Sequence, residues 1–394
     1  MLDGIRVVDL SQNLAGPLCA QTLGDLGADV VKVEPPAGDP ARMWGPPFWG
    51  DDATIFLAAN RNKRSIALDL KSSGGKQALE RLVASADVFV QSFRHGVADK
   101  LGFGHEKLRA ERPELVYASI SGFGSEGPLG AAPGYDPLMQ AYSGLMAITG
   151  HPDGPPSRVG GAVVDIGTGF ITALGIVAAL RDRDQTGVGK HVEASLLATS
   201  MEWVSYHLMG YLATGETPGR TGTGAAILFP YESFPTSDGE LVILAGNDGI
   251  FQRLCTALEL PDVAADPRYK DNPSRVAHKE ILKPILIART SEFTAADLQE
   301  LLERHRVPCS PIHEIPQVVD DPQVEAAGLF PALENPRVPG YRNVAFPLKF
   351  DGSRPQGKCA PPAKGEHTQA ILGELGYSGE EIDEMLTSGA AVGG

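Results

Sequence analysis

Cysteine is scarce in this chain. The four that occur, Cys19, Cys255, Cys309 and Cys359, lie far apart and form no CxxC pair. That leaves no disulfide framework and points to a reducing, cytoplasmic setting. Positive charge is also short: 34 lysines and arginines stand against 49 acidic residues, a net charge of −15. This argues against a nucleic-acid partner, because neutralising phosphates takes the opposite sign. The nine histidines show no HExxH and no paired ligand spacing, so no metal site is expected. The most apolar run, Phe170 to Leu180, falls short of the ~20 residues that cross a bilayer, so no membrane partner is expected either. The opening "MLDGIRVVDL" enters a strand pattern at once, and no secretory leader is expected there.

What is present is a chain able to bury a large core: 394 residues, 42% apolar and 21% charged. "IRVVDL" (5–10) reads as a strand, "AGPLCAQTLGDLGA" (15–28) as a helix with Pro17 in its first turn, and "DVVKVE" (29–34) as the next strand. This is a βαβ unit, which implies a parallel sheet. The alternation continues through strands at 65–70, 88–93, 114–121 and 190–196, and through helices at 74–85, 136–148 and 168–183. A further helix is expected through "LLATSMEWVSYHLMGYLA". The fold class is α/β: a Rossmann-like, doubly wound parallel sheet over 1–212. A Gly/Thr/Pro linker spans 213–226. A smaller α+β domain is expected over 227–325, opening with a hairpin at the Asp238-Gly239 turn and followed by helices at 250–258, 278–288 and 295–305. A Pro-rich return and a helix near 366–376 complete the large domain over 326–394.

Three stretches carry candidate chemistry. "GFGSEG" (122–127) matches GxGxxG after a strand, but Pro128, Gly130 and Pro133 follow. No helix opens there to aim N–H groups at a pyrophosphate, so a dinucleotide site is not expected. "NRNKRSIALDLK" (60–71) gathers Arg61, Lys63, Arg64 and Lys71, and "SFRHGVADKLGFG" (92–104) adds Arg94 and Lys100. Each is either a solvated charge cluster or a pocket for a phosphate-rich ligand at the end of a parallel strand. "SRVGGAVVDIGTGF" holds a lone acid, Asp165, flanked by glycines. It fits a helix N-cap, and it equally fits a nucleophile beside backbone N–H groups that hold an oxyanion.

Taken in order, these stretches resemble the family III CoA-transferases, the group of the formyl-CoA:oxalate and carnitine CoA-transferases, with the 2-methylacyl-CoA racemases as relatives. The likeness runs from "LDGIRVVDLSQNLAGPLCAQTLGDLGADVVKVEPPAGDPAR" through "GYDPLMQAYSGLMAITG" and "TGVGKHVEASLL" to "DGELVILAGND". It implies a CoA thioester as substrate, no tightly bound cofactor, a free carboxylic acid as second partner, and an interlocked homodimer. It places the family's nucleophilic aspartate on Asp165. CoA contacts would fall on Ala15, Leu68, Lys71, Ser92, Phe93 and Lys100. Accessory roles would fall on Asp136, Tyr135, Gly246 and Asn247, the last two in the loop "AGNDG". Leu14 replaces the glutamine of the formyl transferase, which counts against oxalate. Tyr135 replaces the histidine of the racemases, which favours transfer over racemisation, since a phenol of pKa about 10 is a poor proton shuttle. A racemase and a non-catalytic acyl-CoA-binding protein are the alternatives. A dicarboxylyl-CoA such as succinyl-CoA is the expected donor, with Arg158 or Arg42 as candidate receivers of its distal carboxylate.

Overall fold

A computed structural model describes all 394 residues. They divide into two compact units. The first comprises Met1–Ser143, Val159–Tyr206 and Pro322–Gly394; the second comprises Gly144–Arg158 and His207–Asp321. Residues 144–158, which the sequence pattern left in the large domain, thus group with the second unit.

The first unit is built on a seven-stranded sheet. In chain order its strands are β1 (Arg6–Asp9), β2 (Asp29–Glu34), β3 (Lys63–Leu68), β4 (Val88–Gln91), β5 (Val116–Ser121) and β6 (His191–Ser195). The second unit holds β7 (Tyr231–Pro235), β8 (Glu240–Leu244) and β9 (Cys309–Pro311), and the chain ends on β10 (Ala391–Val392) in the large sheet. The large sheet runs β10-β3-β2-β1-β4-β5-β6, with only β10 antiparallel to its neighbour. Strand order reverses between β1 and β4. In doubly wound sheets that crevice, at the carboxyl ends of the strands, is where ligands bind.

Strand alternation divides the core between the two faces. Val7, Val30, Val88 and Val116 pack toward the helices Ala15–Asp25 and Val163–Thr186. Val8, Val31, Ile66 and Phe89 pack toward the helices Ser73–Ala84 and Thr368–Glu374. The Val163–Thr186 helix starts five residues before the sequence pattern suggested, which puts Asp165 inside its first turn. By length and composition it is long enough to cross a membrane, yet Val164, Thr172, Ile176 and Leu180 are core residues of this unit. Its glycines serve close packing. A Cβ on Gly169 would sit 2.7 Å from the Ala15 carbonyl oxygen, and one on Gly167 would sit 2.6 Å from the Trp203 ring. They are helical residues, not an exposed loop of free N–H groups.

Two other expected helices are interrupted. The 136–148 stretch breaks into Asp136–Tyr142 and Leu145–Ile148 around Gly144, whose φ of 86° lies in the left-handed region. The helix after β6 divides into Leu196–Trp203 and Ser205–Thr214. At the C-terminus a second helix, Gly379–Thr387, follows the expected one and leads into β10.

The second unit is a β9-β8-β7 antiparallel sheet backed by the helices Asp248–Ala257, Lys279–Thr290 and Ala295–Arg304. The hairpin at Asp238-Gly239 forms where the sequence placed it, closed by Thr236 N–H on the Gly239 carbonyl at 2.8 Å. Arg275 is wholly buried in this unit and donates to the carbonyls of Phe229, Tyr269 and Gly246.

Candidate active site

The crevice between β1 and β4 holds a cavity of about 340 Å³. One wall is the loop after β1, from Gln12 to the first helical residue, Ala15. Another is the loop after β4, from Ser92 to His95. Ser121 and Gly122, Trp44, Tyr135 and Asp165 complete it.

A buried charge network holds the first loop. Lys63 Nζ donates to Asp9 Oδ2 at 2.9 Å and to the Pro17 carbonyl at 2.8 Å. Lys32 Nζ reaches Asp39 Oδ2 at 2.7 Å and the Ser11 carbonyl at 3.0 Å. Asp9 accepts from the Ser11 N–H and hydroxyl, and Asp39 from the Asn13 N–H at 3.2 Å. Asn13 is held at φ 69°. Across the crevice, Gln12 N–H donates to Ser92 Oγ at 2.9 Å. Both lysines are sealed from water, and burial pushes Lys63 down to about 8 despite the adjoining Asp9 charge. Removing one partner of such a buried pair typically costs 3–5 kcal/mol, because the other charge is left uncompensated.

Asp165 is the third residue of its helix. A carboxylate there ordinarily takes up first-turn N–H groups and ionises easily. Here Asp136 has taken them. Its Oδ2 accepts from Val164 N–H at 2.7 Å and Asp165 N–H at 3.2 Å. Its Oδ1 accepts from Gln140 Nε2 at 2.6 Å, and Gln140 Oε1 in turn accepts from Val159 N–H at 2.9 Å. The Asp165 carboxylate is thus a partly buried group on the cavity wall, with no hydrogen-bond donor of its own and a second carboxylate behind it. Burial first, and the Asp136 charge second, push it up to about 7. At neutral pH it is poised between acid and carboxylate, and its ionised form is poorly solvated.

Of the residues singled out in the sequence, Ala15, Ser92, Phe93, Tyr135 and Asp165 share this cavity, and Asp136 lies buried behind it. Leu68 does not join them: its side chain is fully buried in the core, which leaves only its backbone for a ligand. Lys71 and Lys100 are exposed and lie outside the cavity. Apart from Lys71, the basic cluster is paired with carboxylates rather than open to a phosphate. Arg61 pairs with Asp25 at 2.6 Å, Lys63 with Asp9, and Arg64 with Asp29 at 2.8 Å and Glu374 at 2.6 Å. Arg42 is no receiver for a distal carboxylate either. It is buried between Glu34 (2.6 Å) and Asp52 (2.9 Å), with its guanidinium over the Phe56 ring. Gly246 and Asn247 belong to the second unit, where Asn247 Oδ1 caps the helix Asp248–Ala257; Arg158 belongs there too. Sequence reasoning missed Trp44, whose ring lies 6.4 Å from Tyr135, and Gln140. The i,i+4 spacing of Gln140 from Asp136 was the available signal. No group of three or more His, Cys, Asp or Glu side chains is placed to hold a metal ion.

Residues 2–368 match the model of CoA-transferase family III. The chain belongs to that family. As a family III CoA-transferase it is 42% identical to the succinate–glutarate CoA-transferase of Agrobacterium fabrum, over 98% of this chain and 97% of that protein. It is 38% identical to the human succinyl-CoA:glutarate CoA-transferase, over 98% and 89%. It is 37% identical to the acetyl-CoA:oxalate CoA-transferase of Acetobacter aceti, over 95% of each. Its fold matches the crystal structure of a CAIB/BAIF family protein from Brucella suis with a TM-score of 0.84 at 39% identity, over 95% of this chain and 99% of that one. The mixed α/β architecture with a large, mainly parallel sheet is therefore a family trait, and the chain is an enzyme of the CoA-transferase class.

Proposed function

We propose that this enzyme moves CoA between a short dicarboxylyl-CoA, succinyl-CoA foremost, and a free carboxylic acid, through covalent intermediates on Asp165. The observation that carries this reading is the Asp165 carboxylate: on the wall of a switch-point cavity, stripped of hydrogen-bond donors, with its ionisation displaced to about 7. Such displacement in a cleft marks functional carboxylates. The relatives named for succinate and glutarate transfer support the choice of acids.

The ionised Asp165 oxygen attacks the thioester carbonyl. A C–O bond forms, the C–S bond breaks, and CoA leaves as thiolate, giving an aspartyl acyl anhydride. The thiolate then attacks the aspartyl carbonyl, releasing the first acid as carboxylate and leaving CoA on Asp165 as a thioester. The incoming carboxylate attacks that thioester and expels the thiolate again, forming a new anhydride. Attack of the thiolate on the new acyl carbonyl yields the product acyl-CoA and restores Asp165. No outside energy source is required, since each step exchanges one activated acyl group for another. A poorly solvated carboxylate is the more reactive for having no water shell to shed.

A homodimer of interlocked chains completes the reading. On the helix Val163–Thr186, Ile166, Phe170, Ile171 and Leu174 are exposed, a stripe at i, i+4, i+5 and i+8 that a second copy would cover. Hydroxylamine trapping tests the chemistry: acyl-CoA is added, then hydroxylamine, then protease. A hydroxamate on the peptide containing Asp165 is expected. An adduct found on Asp136 instead, or none under turnover, refutes the assignment.

A further inference from the structure

The Asp136 carboxylate is set against the helix Val163–Thr186 by a side chain that does not reach the cavity. Gln140 is wholly buried and absent from the cavity wall. It follows Asp136 by one helical turn, which puts both side chains on one face of the helix Asp136–Tyr142. Its amide uses both ends. Nε2 donates to Asp136 Oδ1 at 2.6 Å, and Oε1 accepts from Val159 N–H at 2.9 Å. Asp136 Oδ2 meanwhile accepts from Val164 and Asp165 N–H at 2.7 and 3.2 Å. Amide and carboxylate thus form one chain of hydrogen bonds from the backbone at Val159 to the backbone at Asp165. Between those points lie Gly160 and Gly161, which bring no side chain, and the N-cap residue Ala162, whose side chain makes no capping bond.

The direction of these bonds fixes a second property. The Val159 N–H locks the amide of Gln140, because a flipped amide would set NH₂ against that N–H and its oxygen against the carboxylate. Asp136 therefore always meets a donor. All three of its hydrogen bonds come from N–H groups, one amide and two peptide. Such a set suits a carboxylate; a carboxylic acid would need an acceptor for its O–H. Other charges do not compete. Arg94, His95 and Tyr135 line the cavity with Asp165, yet burial and then Asp136 are what displace its ionisation. The helices packed on the first turns of Val163–Thr186 meet it through uncharged groups. These are the Ala15 carbonyl and Leu18 at Gly169, and Thr199 and Trp203 at Gly167.

We propose that Gln140 is a positioning residue of the transfer reaction: its buried amide, locked by Val159 N–H, holds the Asp136 carboxylate on the first helical turn and so fixes the place and the electrostatic surroundings of Asp165. The inference rests on the transferase reading above, in which Asp165 is the nucleophile. Sealed behind the cavity wall, Gln140 acts only through Asp136.

Gln140→Met keeps the length of the side chain and removes both polar ends. Asp136 then loses its side-chain donor, takes up a proton more readily and repels the Asp165 charge less. In protein labelled with ¹³C at the aspartate carboxyls, the Asp165 signal is assigned by its loss in Asp165→Asn. In Gln140→Met that signal should titrate at lower pH than in wild type. The acid limb of kcat/KM for acyl-CoA should follow it, with kcat at pH 8 reduced about ten- to a hundredfold and KM for acyl-CoA unchanged. Gln140→Met added to Asp136→Asn should titrate as Asp136→Asn does alone, since the amide has no other route to Asp165. Gln140→Glu keeps the size of the side chain and an acceptor for Val159 N–H, so it reads the proposal even where Gln140→Met does not fold. Its added carboxyl leaves the negative charge behind Asp165 equal or larger, and titration at or above the wild-type pH is expected. The proposal is overturned by an unmoved Asp165 titration in Gln140→Met, whatever that variant loses in stability. It is equally overturned by a further shift on the Asp136→Asn background, or by a lowered titration in Gln140→Glu. The NMR titration needs no turnover, which keeps the two ideas apart. Turnover by Asp165→Asn would remove the nucleophile and leave the link from Gln140 to Asp165 standing, whereas an unmoved titration would remove the link and leave the nucleophile.

Discussion

Replacing Asp165 by Asn should make the resting protein more stable at alkaline pH while abolishing transfer. In the folded chain Asp165 ionises at about 7; in the unfolded chain it ionises near 3.9. Between those values the folded state holds a proton that the unfolded state has lost, so this group's contribution to stability falls as pH rises from about 4 to about 7 and is flat above. Three pH units at about 1.4 kcal/mol each set an upper bound of about 4 kcal/mol for the cost of the ionised carboxylate. Partial exposure reduces that figure to about 2–4 kcal/mol. Asn is isosteric and uncharged, and the N–H groups that an aspartate at this position would cap are already held by Asp136. Urea unfolding of both proteins at pH 5 and pH 8 should therefore show the variant gaining on wild type by about 1–2.5 kcal/mol across that interval, since only the two units from pH 5 to about 7 contribute. A variant less stable than wild type at pH 8 would mean that the carboxylate makes a structural bond, and the reasoning would fail. Wild-type turnover by the variant would separately refute the nucleophile.

The acid limb of kcat/KM for acyl-CoA should lie near pH 7, with rate rising as Asp165 deprotonates, and Asp136→Asn should move it lower by removing the second cause of the displacement; a pH–rate series checks this, and an unmoved limb counts against it. Lys71→Ala and Lys100→Ala should each raise KM for acyl-CoA only about two- to fivefold, since both lysines are exposed and screened. The effect should shrink with salt; no change in either variant removes both from CoA binding. Leu174→Glu puts a charge on the exposed stripe of the long helix and should yield monomers by size-exclusion with light scattering; an unaltered mass would show that this face is not the dimer contact. Incubation of a 2-methylacyl-CoA in deuterated water should leave its α-carbon unlabelled, as Tyr135 is a poor proton shuttle; mass-spectrometric incorporation there would favour racemisation.

Much of this protein was legible in the linear chain, because periodicity is a local property. The β-branched runs at 5–10 and 29–34 became β1 and β2, and the Asp238-Gly239 turn became a hairpin, since each depends on neighbours within a few residues. The ordered motifs led to the family, which the matched model and relatives show. They also led to Asp165, although the sequence left it open between a cap and a nucleophile. What the chain could not show is where charges meet. Lys63 and Asp9 stand 54 residues apart and pair inside the sheet, and Arg61 finds Asp25 from 36 residues away. A cluster that is basic in sequence is therefore neutralised in space, because burial in a low-dielectric core demands a partner from wherever the fold supplies one. For the same reason Arg42 turned inward to Glu34 and Asp52. Tertiary structure also brought the carboxylate of Asp136 to the N–H groups of Val164 and Asp165, 28 and 29 residues on. The sequence supplied an acid at the start of a helix. Only the tertiary structure, burying it and packing a second acid behind it on the N–H groups that would have stabilised its charge, pushed its ionisation up to about 7.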